Sequence, residues 1–494
     1  MKPPLGEAGR PLRLVILALL ALAPLAIGSV HPPAFVPLLS AELSVGLVSW
    51  ALGHWRRALG QAVPAVPAGR LLLAFHALVL SQLVPLPPRL LRLVSPGSFA
   101  FRDDRSLVGL TSWQPISVSP PDTLRGFAFL AGASLLYAAA FREFEDARWR
   151  RRLAGVVVAT GLVMTVEAFW QAATGDTLIY GLWRPRWDWA VFGPYVNRHH
   201  FAGYLAMAIP PALAFAVGAV ERLARQVVGR PRGWLALGER VGARALALPV
   251  VAMTLVAGLF AAASRGGFLA FVVSGLALPL AFPRRRLLAT VGVATLVAAG
   301  VAWVGIEGLL SGFEKRGVRT SRLAIWRDAL TMVPHFPLLG DGFNAFGTAF
   351  PGYQTAWREY YMGEAHNEYL QALVDTGAVG FALTAGVLVV VFRRAIAAAP
   401  RGALEAGLLG SLIAAACHNL VDFNWQIPAN AATCAALAGV ALRAAEDVVR
   451  GPASDRSVAA QLEVVRGRPY NNLRESQPSL LSEREEWRIL RSRA

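Results

Sequence analysis

Apolar residues fall along this chain in long blocks, not in alternation. The blocks predict helices over roughly 12–30, 34–52, 70–87, 123–141, 153–173, 200–219, 246–263, 266–282, 287–305, 373–392, 403–420 and 428–447. Strands are far shorter than these runs, and about 20 apolar residues are what a helix needs to cross a bilayer. The pattern therefore predicts an all-α, polytopic integral membrane protein with about 12 transmembrane helices. Its expected organisation is a set of N-terminal membrane helices over 1–305, a large loop with short helices over 306–372, C-terminal membrane helices over 373–447, and a basic, poorly ordered tail over 448–494. The first run follows Arg10 and Arg13, as a signal peptide would, but further runs follow at once, so it reads as a retained first span.

Composition agrees: 55% of the 494 residues are hydrophobic and only 16% are charged, too few charges for a soluble domain of this length. The net charge of +17 is almost all arginine, with Lys2 and Lys315 the two lysines. Where the arginines sit decides what they are for. With the N-terminus inside, they crowd the alternate connections: Arg56, Arg57 and Arg70, the run ARWRRR at 147–152, six in 220–245, Arg284–Arg286, Arg393, Arg394 and Arg401, and nine in the tail. The opposite segments 88–122, 174–198 and 306–372 hold four, three and six Lys or Arg. This bias orients both ends to the cytoplasm and accounts for the basic excess through anionic lipid, not nucleic acid. Cys417 and Cys434 fall inside apolar runs and read as core thiols with no disulfide framework.

That orientation puts four polar clusters on one side, outside the cytoplasm: FGPYVNRHH (192–200), SRGG (264–267), the 306–372 loop and HNLVDFNW (418–425). Arg265 is the sharpest signal. It is the one charge in a 37-residue, largely apolar stretch, 246–282, and the glycines after it are expected to turn the chain into a helical hairpin. An arginine at a membrane helix end costs about 2.5–3.5 kcal/mol on insertion scales, so it usually has a partner or a task; the bland alternative is snorkelling to headgroups. In the loop, Arg322 and Trp326 stand four apart on one helical face, suited to a phosphate or a sugar, or else to an interfacial helix with solvated arginines. GDGFNAFG (340–347) lacks a preceding strand and the Lys-Ser/Thr of a phosphate loop, so it reads as a turn-rich connector.

His366 opens the return to the membrane. Its imidazole can accept a proton near neutral pH, and Glu364, Asn367 and Glu368 stand close enough to orient it. Asn367 and Gln371 share a helical face and can bind hydroxyls; this short helix is expected to stop at Gly377. Asn197, His199 and His200, and separately His418 with Asp422, form weaker candidates. The two adjacent histidines could ligate a metal, but no further cluster at ligand spacing supports one, and no metal is expected. No Gly-X-Ser-X-Gly elbow points to a serine hydrolase.

Several stretches carry a resemblance: SRGGFLAF (264–271), RLAIWRDAL (322–330), PLLGDGFNAF (337–346), AHNEYLQALVDTGAVG (365–380) and HNLVDFNWQIPANA (418–431), with FGPYVNRHHFAGYLAM upstream. In order and spacing the chain resembles the O-antigen ligase family, whose domain is shared with O-antigen and exopolysaccharide polymerases. The resemblance implies a GT-C-type membrane glycosyltransferase of the bacterial inner membrane, with its site facing the periplasm. Its donor would be a glycan on undecaprenyl diphosphate, and its acceptor a lipid A–core sugar, another lipid-linked glycan or a protein. Such ligases act without metal or other cofactor. By motif match, His366 would be the catalytic base and Arg265 and Arg322 the diphosphate holders, with Arg316 and Arg319 near enough to stand in for Arg322; Asn197, His199, Trp326, Asn367 and Gln371 would contact substrate. A polymerase would use the same site. A polysaccharide or solute transporter is the rival from another class, though no matching inverted halves are seen in the sequence.

Overall fold

The computed structural model describes residues 9–227, 243–281 and 322–450, apart from 105, 107, 108, 186–191, 276 and 356–360, together with 294, 295 and 298. The described residues up to Ala445 form one compact unit. The helices of the first half are α1 (Arg10–Leu25), α2 (Pro32–Ala58), α3 (Gly69–Ser81), α4 (Pro88–Val94), α5 (Pro96–Asp103), α6 (Pro120–Glu143), α7 (Ala147–Thr174) and α8 (Arg198–Val227). Then come α9 (Ala243–Ala261), α10 (Arg265–Gly275), α11 (Arg322–Met332), α12 (Phe346–Ala349), α13 (Glu368–Ala398), α14 (Ala403–His418) and α15 (Pro428–Arg450). The described β-structure includes a ribbon of two short strands, β1 (Pro85–Leu86) and β2 (Gln114–Pro115), paired antiparallel with Pro85 opposite Pro115. Eleven of the twelve predicted runs coincide with described helices; 287–305, apart from 294, 295 and 298, lies outside the described residues. Among the described helices, α2, α6, α7, α8 and α13 are long and apolar enough to cross a membrane.

Helix α8 is the centre. Residues 200–212 are buried without a break, as expected of a helix that is apolar all round, and α7, α9, α10 and α14 all pack on it. Two prolines, Pro210 and Pro211, sit inside it. Pro211 has no N–H to give the carbonyl of Met207, one turn back. Ser411 of α14 supplies the replacement, its Oγ donating to the Met207 carbonyl at 2.7 Å. Gly407 and Gly410 make that approach possible: a Cβ on Gly407 would lie 2.9 Å from the Pro210 carbonyl oxygen. Small residues at such a crossing are what helix association in lipid requires.

The loop has a core of its own. Ile325, Ala329 and Met332 of α11 pack with Phe336, Phe346, Phe350 and Val374, the Phe346 and Phe350 rings stacked at 4.7 Å. It is joined to the membrane helices at a break in α13. There Gly377 has φ 62° and ψ −170°, and a side chain would lie 2.3 Å from the Leu338 carbonyl carbon. Segment 337–342 fills the break with main-chain bonds: Ala378 N–H to the Pro337 carbonyl (2.9 Å), Asp341 N–H to Val374 (3.0 Å) and Gly342 N–H to Asp375 (3.2 Å). Gln82, capping α3, closes the joint. Its amide nitrogen donates to the carbonyls of Leu339 (2.6 Å) and Asp375 (2.8 Å), and its oxygen accepts from Phe343 N–H (2.9 Å). The turn-rich connector read at 340–347 is thus the piece that latches the loop. The expected stop at Gly377 is a kink: α13 resumes past it.

Between α3, α6, α13, α14 and α15 runs a cavity of about 330 Å³.

Candidate functional site

Three of the four polar clusters singled out in the sequence meet at one carboxylate, Asp422, and the fourth, SRGG, packs on the neighbouring His199 and His418. It sits in the turn between α14 and α15, wholly buried. Its Oδ1 faces His366 Nδ1 at 3.6 Å and His200 Nε2 at 3.7 Å. Its Oδ2 faces His418 Nε2 and an Arg322 guanidinium nitrogen, each at 3.7 Å. One side chain therefore touches α8, α11, α14 and the loop. Burial alone would push this carboxyl up. The close approach of the His200 and His366 imidazoles and the nearby imidazole charge of His418 outweigh burial and hold it well below the usual carboxylate range.

Phe423 wedges between two of the imidazoles, its ring edge-on to His200 (centroids 4.6 Å apart) and to His366 (4.8 Å). His366 itself has φ 52°, a left-handed conformation uncommon for a residue with a Cβ and one that concentrates at functional sites. The contacts around it hold it there. Glu368 N–H donates to the Asn419 carbonyl at 3.0 Å, and Trp326 Nε1 donates to the Ala365 carbonyl at 3.1 Å. The shared face of Arg322 and Trp326 is thus the face α11 turns to the histidine segment: one residue holds Ala365, the other holds Asp422.

Behind the ring is a polar chain. Asn424 bonds His418 Nδ1 (3.2 Å) and accepts from Asn430 (2.8 Å), and Asn430 also donates to the His200 carbonyl (2.9 Å). The Tyr195 hydroxyl donates to Asn430 Oδ1 at 2.9 Å. Each bond fixes an imidazole or its backbone, as outer-layer partners of a site do.

Arg265 heads α10, and its neighbours on both sides reach the ring. Ser264 Oγ pairs with His199 Nδ1 at 3.1 Å, and Gly266 abuts His418, whose Cδ2 a Cβ would approach to 2.7 Å. The glycines after Arg265 do not make the hairpin turn. Ala263 does, with φ 48°; Gly266 and Gly267 lie in the first helical turn, where the missing side chains let His418 and Ala202 come close. Asn197 caps α8, its Oδ1 accepting from His199 N–H at 2.9 Å. Asn367 caps α13 by accepting from the N–H groups of Tyr369 (3.1 Å) and Leu370 (3.0 Å). Gln371 is buried, donating to Glu364 Oε2 (2.6 Å) and accepting from Ala365 N–H (2.8 Å). These three amides build the frame on which the histidines sit. Arg316 and Arg319 lie outside the described residues.

Beside His366 is a second polar group. Gln426 and Gln371 hydrogen-bond Glu364, and Gln426 also bonds Glu368. Burial pushes the Glu364 carboxyl up to about 7, against the pull of these two amides. Sequence reasoning rated Asp422 a minor candidate, paired with His418 alone. Its position four residues after His418 was visible; that it joins four separate elements was not. Among the described residues, no three His, Cys, Asp or Glu side chains are grouped so as to hold a metal ion.

Residues 250–385 match the O-antigen ligase family model. The match covers Arg265, Arg322 and His366, and stops before Asp422. The exopolysaccharide production protein ExoQ of Rhizobium meliloti (strain 1021) is 31% identical over 112 residues, which is 20% of this chain and 26% of that protein. The matched part thus spans about a quarter of the relative's length.

Proposed function

We propose, for a membrane protein that carries an O-antigen ligase domain over residues 250–385, a glycosyltransferase that moves a glycan from undecaprenyl diphosphate to an acceptor hydroxyl. The observation that carries the proposal is the sharing of Asp422 by a base and a cation: His366 on one oxygen, Arg322 on the other. With Nδ1 turned to Asp422, His366 keeps Nε2 for the acceptor. Nε2 takes the hydroxyl proton as the oxygen attacks the anomeric carbon. The bond from that carbon to the diphosphate oxygen breaks, and its electron pair leaves with the diphosphate. Asp422 then stabilises the imidazolium.

The leaving group gains negative charge as the bond breaks. Arg322 and Arg265 would bind it through charge-assisted bonds that strengthen toward the transition state, assisted by the N-terminus of α10, a natural phosphate acceptor. Displacement in one step inverts the anomeric centre. The site would face the periplasm of the inner membrane, with both chain ends in the cytoplasm; the arginine bias along the sequence supports that orientation. GT-C architecture with about 12 spans remains part of this reading.

The test is transfer from a lipid-linked glycan by the purified chain in lipid. His366→Ala should lower turnover by about 10²–10⁴-fold with an unchanged melting temperature. Wild-type turnover in that variant would refute the base assignment. The likeness to an exopolysaccharide production protein favours one second reading, a polymerase that uses the same residues on a growing lipid-linked glycan. Which acceptor is consumed in the same assay separates the two.

A further inference from the structure

Arginines gather where α1 and α7 begin and α2 and α6 end. Gln171, near the far end of α7, accepts from Gly193 N–H of the polar cluster at 192–200, at 3.0 Å. Trp149, in the first turn of the same helix, stands roughly 33 Å away at about 1.5 Å per residue. A bilayer's apolar core is about 30 Å thick, so Trp149 marks the membrane face opposite the Asp422 ring. Arg13 of α1 and Arg152 of α7 both lie over its indole, their Cζ atoms 5.4 and 4.4 Å from the ring centre.

Arg13 is only 5% exposed, and its Nε is buried with no hydrogen-bond acceptor, a costly state for a charged donor. The acids of the α6–α7 turn are committed elsewhere. Glu143 accepts from Arg56 at 3.0 Å and from the Ser49 hydroxyl at 2.9 Å. It also comes near Arg13, since both flank the place of a Gly9 Cβ, but it bonds Arg56. Glu145 faces Arg443 at 3.6 Å, and Asp146 caps α7 by accepting from Arg148 N–H at 2.6 Å. The two guanidinium groups on the indole therefore offer donors alone, and their planar forks match the oxygens of a phosphate. Leu14 and Val15, which follow Arg13 on α1, are exposed and supply an apolar flank for acyl chains. A phosphate at a membrane face beside such a flank is a phospholipid's.

We propose that Arg13 and Arg152 hold, against Trp149, the phosphate of one anionic phospholipid at the membrane face opposite the Asp422 ring. The bound lipid ties α1 to α7. One lipid held by two particular residues differs from the general pull of a basic surface on anionic lipid, to which the exposed Arg148 and Arg151 contribute as much as Arg152 does. The binding does not rest on the transfer reading.

The experiment uses the full chain in a neutral detergent free of phosphate, with retained lipid counted by native mass spectrometry. Dioleoyl phosphatidylglycerol should fill one saturable site about tenfold more tightly than dioleoyl phosphatidylcholine, whose phosphate is balanced by its own choline. Inorganic phosphate in excess should not displace it. Arg152→Gln changes an exposed residue and so keeps the fold testable; it should weaken the site by about tenfold, the worth of one charge-assisted hydrogen bond. Arg13→Gln should weaken it at least as much. Arg151→Gln removes the same charge one residue away and should change it by less than about twofold. Equal losses in the three variants, or binding that does not saturate, reduce the effect to a diffuse basic surface and overturn the proposal. Displacement by inorganic phosphate assigns the pair to a soluble anion and overturns it too, as does equal binding of the two lipids.

Discussion

Two polar assemblies hold the loop to the membrane helices, and they are built in opposite ways. At the Gln82 joint the main chain is committed: Gln82 makes three bonds of 2.6–2.9 Å, and segment 337–342 pairs with α13 along the main chain, while carboxyl oxygens of Asp341 and Asp375 stay buried beside it without a bond. Around Asp422 the spacing is looser. Four charged or chargeable groups stand 3.6–3.7 Å from one carboxylate, and ring nitrogens of His200, His366 and His418 are buried without a hydrogen bond. A main-chain ladder fixes a fold, whereas groups from four separate elements converging on one buried carboxylate are not needed to build one. We propose on that difference that the joint is structural and the ring functional, within the same loop.

The largest effect should come from the ring's acidic hub. Asp422→Asn removes the charge that orients His366 and balances Arg322, and should cut transfer by about 10²-fold or more while the melting temperature holds. Retained activity would demote Asp422 to packing. Next is Arg322→Lys, which keeps the charge and loses the planar fork. Transfer should fall by roughly ten- to a hundredfold, with the loss read in single-turnover rates. The joint should respond the other way round. Gln82→Ala strands two buried carbonyls and an N–H, and should destabilise the fold by about 2–4 kcal/mol, measured by thermal melting, while the folded fraction keeps its specific activity. A Gln82 variant that melts normally but fails in transfer would collapse the distinction.

The smallest effect lies at Glu364, between the two assemblies. Its carboxyl is raised to about 7 by burial, so the folded state holds the proton more tightly than the unfolded one. Stability from this group is complete below the unfolded value near 4.5 and is lost as pH rises toward 7. The loss should be about 1–3 kcal/mol, and Glu364→Gln should flatten it in melts taken across that window.

Much of this was legible in the sequence. Long apolar runs gave the helices because length alone separates a membrane helix from a strand, and the lone charge at Arg265 inside an apolar stretch pointed to the α9–α10 turn. Less visible was which polar residues work as frame. Asn367 and Gln371 look like hydroxyl binders in the sequence and Asn197 like a weaker substrate contact; each is engaged with local backbone, and capping depends on where a helix starts, to a residue. The Gln82 joint was invisible, since a glutamine at 82 and a turn at 339–343 carry no shared pattern. Asp422 was hidden for the same reason. Its partners come from four elements, and convergence is a property of the packed fold.

The most direct test is a double-mutant cycle on transfer kcat/KM with His366→Ala, Asp422→Asn and the pair. If Asp422 acts through His366, the double variant should be no slower than the slower single variant, within about threefold. If the two losses multiply, the carboxylate and the imidazole work independently, and the account of a base and a cation organised by one buried charge is wrong.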